Sequence, residues 1–102
     1  MLTVAGIILK SMYHLFVLEF WEFSTENSAQ NIFFNARLDT ENWLSGGVSS
    51  QSYVNLPRFN RFTRTAHGRH VVLSRIDNTY VLMIGSAENR AVMNDIISEL
   101  GH

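Results

Sequence analysis

The sequence predicts an α+β fold, in which a small antiparallel β-sheet of about five or six strands is packed by a C-terminal amphipathic helix. His70–Ile76 and Thr79–Gly85 are rich in β-branched and apolar residues. They are joined by Asp77-Asn78, a pair that tolerates the positive φ of tight hairpin turns. Apolar residues then recur with helical spacing until Gly101, which closes the helix. A hairpin followed by a helix therefore forms the predicted end of the chain.

Length and composition predict one domain over residues 1–102. The chain is 46% hydrophobic and 12% aromatic, which suffices for a single core. It has no cysteine, so disulfides and thiolate chemistry are excluded. The apolar N-terminal stretch lacks the basic start and small-residue cleavage site of a signal peptide, and charges interrupt it too often for a membrane span of about 20 residues. We therefore expect a cytoplasmic protein with no integral membrane span.

The first 23 residues are the most apolar part of the chain and predict two elements. Leu2–Ser11 suits a short helix or a strand, because its apolar residues share a helical face while Gly6 weakens a helix. Tyr13–Phe23 predicts a strand, since aromatic and β-branched residues dominate it. Apolar residues on both faces of its middle indicate a central position in the sheet, or one face held against a partner.

The next segment predicts a second strand, one helical turn and a loop. Thr25–Ser28 has the composition of a turn. Ile32–Leu38 alternates like a half-buried strand, which we expect to pair with the strand before it. Asp39 predicts the N-cap of a single helical turn that Gly46-Gly47 ends. Gly47–Ser52 then predicts a polar, flexible loop.

The second half of the chain predicts the rest of the sheet. Tyr53–Leu56 predicts a short strand at an edge, because a proline follows it. Arg58–Thr65 alternates loosely and should be extended, and Ala66-His67-Gly68 supplies a turn. Ser86 predicts the N-cap of the last helix. The predicted buried stripe of that helix consists of Val92, Met93, Ile96, Ile97 and Leu100.

A meander that ends in one amphipathic helix packed against the sheet resembles the architecture of pleckstrin-homology-like domains and of roadblock or profilin-like domains. The resemblance is architectural, and no signature motif of either group carries it. It therefore implies a fold and does not by itself imply a function.

The charges are unevenly distributed, although the net charge is only −1. Residues 1–50 have a balance of −3 and residues 51–102 a balance of +2. No acidic residue lies between Glu41 and Asp77, whereas five arginines do. Such a segment creates a local positive field on a nearly neutral protein. One lysine against seven arginines favours planar, bidentate or stacked contacts, but genomic codon bias explains the same ratio.

Arginines are interleaved with phenylalanines and histidines over Arg58–Arg75, and we call this segment the basic strip. Guanidinium groups recognise phosphates, and aromatic rings stack on bases or headgroups. The strip thus predicts an anion site for single-stranded nucleic acid, a phosphorylated ligand or an acidic partner surface. Alternatively, it is a solvated strand face whose arginines pair with carboxylates of the same chain while its phenylalanines are core. The predicted binding residues are Arg58, Phe59, Arg61, Phe62, Arg64, Arg69 and His70.

The sequence contains no catalytic, metal or cofactor motif. His67 and His70 are three positions apart, but zinc sites need three or four ligands and no cysteine or nearby carboxylate completes this pair. A nucleophile elbow, a phosphate-cradling glycine loop and a dinucleotide fingerprint are all absent. We therefore expect no metal and no cofactor, and we favour a protein that is not an enzyme.

The first half of the chain holds more aromatic residues than one face of a small sheet readily buries. Aromatic residues are enriched in the cores of protein interfaces. The excess predicts a homodimer or a protein partner that contacts the apolar strand. The predicted interface residues are Phe16, Phe20 and Trp21.

These observations support three functional hypotheses. The first is a non-enzymatic adaptor or accessory domain that self-associates or docks a protein partner, with the basic strip as its docking face. The second is a nucleic-acid or phosphate-ligand binder that uses the same strip. The third is a small RNase-like toxin that adds His67 or His70 to the strip.

Overall fold

The computed structural model describes the backbone of residues 2–10 and 15–102, and the side chains from residue 17 onward. This part of the chain contains six strands and two α-helices. In chain order, the elements are β1 (Leu2–Lys10), β2 (Leu15–Phe23), α1 (Glu26–Trp43), β3 (Val48–Leu56), β4 (Phe59–Ala66), β5 (Arg69–Ile76), β6 (Thr79–Ser86), a 3₁₀ turn (Ala87–Asn89) and α2 (Arg90–Glu99).

The six strands form one sheet in the order β1-β2-β6-β5-β4-β3, and every neighbouring pair is antiparallel. Tight turns connect β3 to β4, β4 to β5 and β5 to β6. Two of these turns contain residues with positive φ, His67 at 51° and Asp77 at 52°. Strand β6 pairs with β2 on its other side. Strands β5 and β6 are therefore in the interior of the sheet, and β1 and β3 are at its edges. The predicted α+β class with a C-terminal helix is confirmed.

Each face of the sheet carries its own hydrophobic core, because successive residues of a strand point to opposite faces. On β5, Val71 and Leu73 point towards α1, whereas Val72 points towards α2. The core on the α1 face consists of Phe23, Ala29, Phe33, Leu44, Phe62, Ala66, Val71, Leu73 and Tyr80. The core on the α2 face consists of Leu18, Val72, Val81, Met83, Met93 and Ile97.

Helix α1 occupies residues that the sequence predicted to form a turn, a strand and a single helical turn. The prediction of a strand over Ile32–Leu38 is therefore wrong, and Asp39 lies inside the helix rather than at its start. Thr25 is the N-cap, and its hydroxyl accepts a hydrogen bond of 3.1 Å from the backbone N–H of Ser28. The predicted pairing partner of β2 is replaced by β1 and β6. The predicted meander is thus interrupted by a helix.

The remaining elements agree more closely with the sequence. The first element is a strand, and the predicted loop over Gly47–Ser52 is wrong because β3 begins at Val48. The edge position predicted for the strand before Pro57 is confirmed. Gly101 closes α2 with a φ of 81°. No helix among residues 2–10 and 15–102 is long and apolar enough to cross a membrane.

Candidate functional site

The basic strip does not form one surface, because strand alternation divides it between the two faces of the sheet. Phe62 and Arg64 lie opposite Leu73 and Val71 in the β4–β5 register, on the α1 face. Phe59 and Arg61 alternate with them and lie on the α2 face. The extended conformation predicted for this segment is confirmed, and it is also what separates the predicted binding residues.

On the α1 face, the strip contributes mainly to the fold. Phe62 is buried in the core. The Arg64 guanidinium donates to Gln51 Oε1 at 2.7 Å and to the carbonyls of Glu41 and Leu44 at 3.2 and 3.1 Å. These two carbonyls end α1 and would otherwise lack partners. Arg69 is exposed, and its guanidinium lies 5.6 Å from the centre of the Trp43 ring.

On the α2 face, Arg61 is half-buried and donates to the backbone carbonyl of His102 at 3.4 Å. His70 is buried and lies 2.7 Å from the Thr65 hydroxyl through Nδ1. Burial lowers the pKa of His70, and the positive charges of Arg90 and Arg61 lower it further. Its imidazole is thus kept neutral inside the fold, a state that does not suit recognition of an anion.

Arg58 lies at the turn between β3 and β4, next to Asp77 of the β5–β6 turn. Its side chain is 76% exposed, and its Nε donates to Asp77 Oδ1 at 2.7 Å. This hydrogen bond is the main reason why the pKa of Asp77 is lowered. An exposed ion pair of this kind adds little stability, so Arg58 remains available to exchange partners.

The predicted interface residues lie on an interior strand. Strand β2 is paired on both sides, by β1 and by β6. Phe20 and Trp21 are both half-buried and point to opposite faces, Phe20 against the α2 core and Trp21 against the α1 core. The side chain of Phe16 lies outside the described residues. No single surface therefore contains both Phe20 and Trp21.

The most exposed strand with described side chains is β3, at one edge of the sheet. All nine of its residues, Val48–Leu56, are exposed. It contains no charged residue and no proline, the two kinds of residue that usually protect an edge from pairing with another strand. A bulge between Val48 and Ser50 interrupts only its first residues. We call the rest of this edge, with Tyr53, Val54 and Leu56, the β3 edge surface.

Neighbouring residues hold the β3 edge surface in place on both faces. On the α1 face, the Tyr53 ring stacks on Phe33 with centroids 6.3 Å apart, and the Arg37 guanidinium lies 4.9 Å from its centre. On the α2 face, Val54 lies opposite Arg61 in the β3–β4 register. Helix α2 packs on β6 and not over this end of the sheet. The side chains of the edge thus have neighbours within the fold, while its nine residues stay exposed.

The described residues offer no metal centre. No group of three or more histidine, aspartate or glutamate side chains among them could hold a metal ion. His67 is exposed, with Nε2 3.3 Å from the carbonyl of Ser45, and His70 is buried beside Thr65. The imidazoles of His67 and His70, which are close in sequence, therefore have different neighbours and do not form one site.

Comparisons with known proteins find a structure of similar fold but no matching family. No protein-family model matches the sequence, and no curated protein matches it. Among solved structures, the chain is similar to a GTP binding regulator from Thermotoga maritima, with a TM-score of 0.55 and 18% sequence identity. The likeness covers 81% of this chain and 63% of that protein, so the chain spans less than two thirds of its length. At this identity the likeness concerns the fold alone.

Sequence reasoning placed Tyr53–Leu56 at an edge of the sheet but took the residues before it for a loop, so it did not identify the β3 edge surface as one exposed strand. Its signal was nevertheless present, because residues 48–56 combine β-branched and aromatic residues with a complete absence of charge. Serines between them reduced the apparent strand propensity and suggested a loop. An uncharged segment of this length directly before a hairpin is better interpreted as an exposed edge.

Proposed function

We propose that this chain is a non-enzymatic protein-interaction domain that self-associates, with β3 of one copy pairing antiparallel with β3 of a second. The observation that carries the proposal is the uncharged edge strand, exposed along all nine residues. The unpaired N–H and C=O groups of such an edge are a template for another strand. Main-chain hydrogen bonds supply affinity in this mode, and the side chains beside them supply specificity.

A second copy of the chain suits this edge chemically. Two β3 strands that pair about a twofold axis bring no like charges together, because β3 carries none. The exposed apolar side chains of Val54 and Leu56 are covered in the process. The sheet then continues from one copy into the other, which removes one exposed edge from each.

Part of the basic strip contributes to the same surface. Arg61 and Phe59 lie opposite Val54 and Leu56 in the β3–β4 register, on the face that α2 leaves open. They supply a cation and an aromatic ring at the border of the apolar edge. An acidic group of a partner could bind the cation, and an aromatic group could pack on the ring. This smaller set replaces the seven-residue docking face predicted from the sequence.

Light scattering at two protein concentrations tests self-association directly. We expect the chain to have twice its monomer mass at the higher concentration, and Val54→Lys to be monomeric at both. This substitution places an ammonium group opposite Arg61 on the edge strand of each copy, and a lysine on an edge strand opposes pairing with another strand. Circular dichroism should show that the variant is folded, since Val54 is 39% exposed.

Leu100→Lys provides a matched control, because Leu100 is also 39% exposed but lies at the end of α2. This variant should self-associate like the unchanged chain. If the unchanged chain is monomeric at both concentrations, or if both lysine variants are dimeric, the β3 edge is not the interface.

The two alternative functions predicted from the sequence have no specific support in the arrangement of the residues. Binding of nucleic acid or a phosphate ligand needs several free guanidiniums on one face, yet Arg64 is bound to backbone carbonyls. A small RNase-like toxin needs acid-base groups that meet in one cleft, yet His70 is buried and the exposed His67 lies apart from it, against the carbonyl of Ser45. Both remain predictions of the sequence.

A further inference from the structure

A groove of about 280 Å³ lies between α1 and the interior strand β6, on the opposite side of α1 from the β3 edge surface. It forms because α1 crosses the sheet diagonally. The helix starts just after the end of β2, and its last carbonyl groups are bound by Arg64 of β4. The C-terminal half of α1 therefore leaves part of β6 uncovered.

The floor of the groove is apolar, and its wall carries an aromatic ring and a carboxylate. Tyr80, Leu82 and Ile84 form the floor, because alternate residues of β6 point to this face. Asp39 and Trp43 form the wall on α1. Trp43 is exposed, so its ring is available to a ligand as well as to the helix.

Negative charge predominates at the floor of the groove. Among the described residues Asp39 forms no ion pair, and Glu19 lies opposite Leu82 on the same face of the sheet. One oxygen of Glu19 accepts a hydrogen bond of 3.0 Å from Trp21 Nε1. Two guanidiniums lie near the Trp43 wall, that of Arg69 at 5.6 Å from the Trp43 ring and that of Arg64 on the Leu44 carbonyl. At Tyr80 in the floor, the charges that act on the side chain are those of the two carboxylates.

A hydroxyl is available at the floor of the groove. Tyr80 is only 3% exposed as a whole residue, and no group in the described part of the chain forms a hydrogen bond with its hydroxyl. Among the described residues Arg37 Nε is the only buried side-chain atom without a partner, so the Tyr80 hydroxyl is in contact with solvent. Burial, followed by the charges of Glu19 and Asp39, raises the pKa of this hydroxyl, so it stays neutral. A neutral phenol can accept a hydrogen bond from a ligand N–H.

We propose that this groove is a binding site for a small organic ammonium ligand, in which a positively charged nitrogen is attached to an aromatic or branched apolar body. The apolar body packs on Leu82 and Ile84, and the charged nitrogen is attracted by Asp39 and by the face of the Trp43 ring. The volume is near the lower end for small-molecule pockets, which begin at roughly 300 Å³. An anion would be repelled by the same carboxylates. This site is separate from the β3 edge surface and does not depend on the proposed self-association.

Three isosteric probes test the preference for a cation: phenethylammonium, 2-phenylethanol and phenylacetate. In titrations followed by the amide and indole N–H resonances of the ¹⁵N-labelled chain, phenethylammonium should shift the signals of Thr40, Trp43 and Leu82. It should bind about tenfold more tightly than the alcohol, which corresponds to about 1.4 kcal/mol. The carboxylate should bind most weakly.

Asp39→Asn should remove most of the preference for phenethylammonium over the alcohol while leaving binding of the alcohol unchanged. Asp95→Asn is the matched control, since Asp95 is an exposed carboxylate on α2, and it should leave all three affinities unchanged. Tyr80→Phe should weaken binding of the ammonium probe more than binding of the alcohol.

Three outcomes would overturn the proposal. They are equal affinities of the unchanged chain for the ammonium probe and the alcohol, shifts confined to other residues, and an Asp39→Asn variant that keeps the preference. Light scattering on the same samples reports self-association independently.

Discussion

Arg75 is the largest side chain that the described fold encloses completely, at 1% exposure. Its guanidinium donates from Nε to Asn60 Oδ1 at 2.6 Å, from Nη1 to the Asp77 carbonyl at 2.9 Å, and from Nη2 to the Pro57 carbonyl at 3.1 Å. A buried cation is tolerated only when its donors are satisfied. Pro57 and Asp77 belong to different turns, so Arg75 connects the β3–β4 turn to the β5–β6 turn.

Arg75→Met should lower the free energy of unfolding by about 2–4 kcal/mol, because the methionine fills most of the space but leaves buried acceptors without donors. Urea denaturation followed by circular dichroism measures the change. Arg58→Met is the matched control, since the Arg58 side chain is 76% exposed and its solvent-screened ion pair with Asp77 should contribute little to stability. Equal losses in the two variants would show that Arg75 does not stabilise the turns.

His102 packs against the α2 face as a neutral imidazole. Its Nδ1 lies 2.9 Å from the Ser74 hydroxyl, its Nε2 lies 2.9 Å from the Thr79 hydroxyl, and its ring meets Phe20 edge-on at 6.0 Å. Burial, and secondarily the charge of Arg61, lowers the pKa of His102 to about 4. Protonation would force one ring nitrogen to give up its role as an acceptor in this cluster.

The depressed pKa of His102 predicts a loss of stability in mild acid. An unfolded histidine takes up a proton near pH 6.5, whereas the folded chain resists protonation until about pH 4. Between these values the unfolded state binds more protons, so the free energy of unfolding should fall as the pH decreases. Urea midpoints across this range should decline less for His102→Asn than for the unchanged chain. The exposed control His67→Asn should retain the full decline, and identical profiles in all three proteins would contradict the assignment.

At the scale of elements, the sequence allowed the β5–β6 hairpin and α2 to be predicted, because each has an unambiguous period or turn. Strand β4 was expected to be extended from a looser alternation. Helix α1 was not recognised, since apolar residues at every second position from Ile32 imitate a strand. The helical signal was the weaker one, with buried Ala29, Phe33 and Thr40 spaced by four and seven positions after the Thr25 cap. Packing against the sheet selected the helical period, and a local pattern does not contain that information.

The candidate surfaces were harder to predict than the fold. An edge strand such as β3 pairs on one side only, so it needs no apolar alternation and shows none. The groove beside Trp43 combines α1 with β6, elements that are distant in sequence. The basic strip was visible in the sequence, but its division between two faces depends on the register of β4. Surfaces of this kind depend on tertiary contacts rather than on local composition.

At the scale of the whole molecule, one sheet serves two cores. Neighbouring residues of β5 enter different cores, Val71 and Leu73 on the α1 face and Val72 on the α2 face. The same holds for Tyr80 and Val81 of β6. Neither core can lose its packing without disturbing strands that the other core requires. The two faces should therefore unfold in one cooperative transition, as is usual for domains of this size.

Ile97→Ala tests this coupling from one face to the other. Ile97 is buried in the α2 core, so its truncation should cost about 2–5 kcal/mol. Trp21 and Trp43 lie on the α1 face, and their fluorescence reports on the opposite core. If the cores are coupled, the urea midpoints by tryptophan fluorescence and by far-ultraviolet circular dichroism shift together. Ser98→Ala, an exposed change on the same helix, should shift neither. A circular dichroism midpoint that falls while the fluorescence midpoint stays in place would mean that α2 and its core unfold independently of the α1 face.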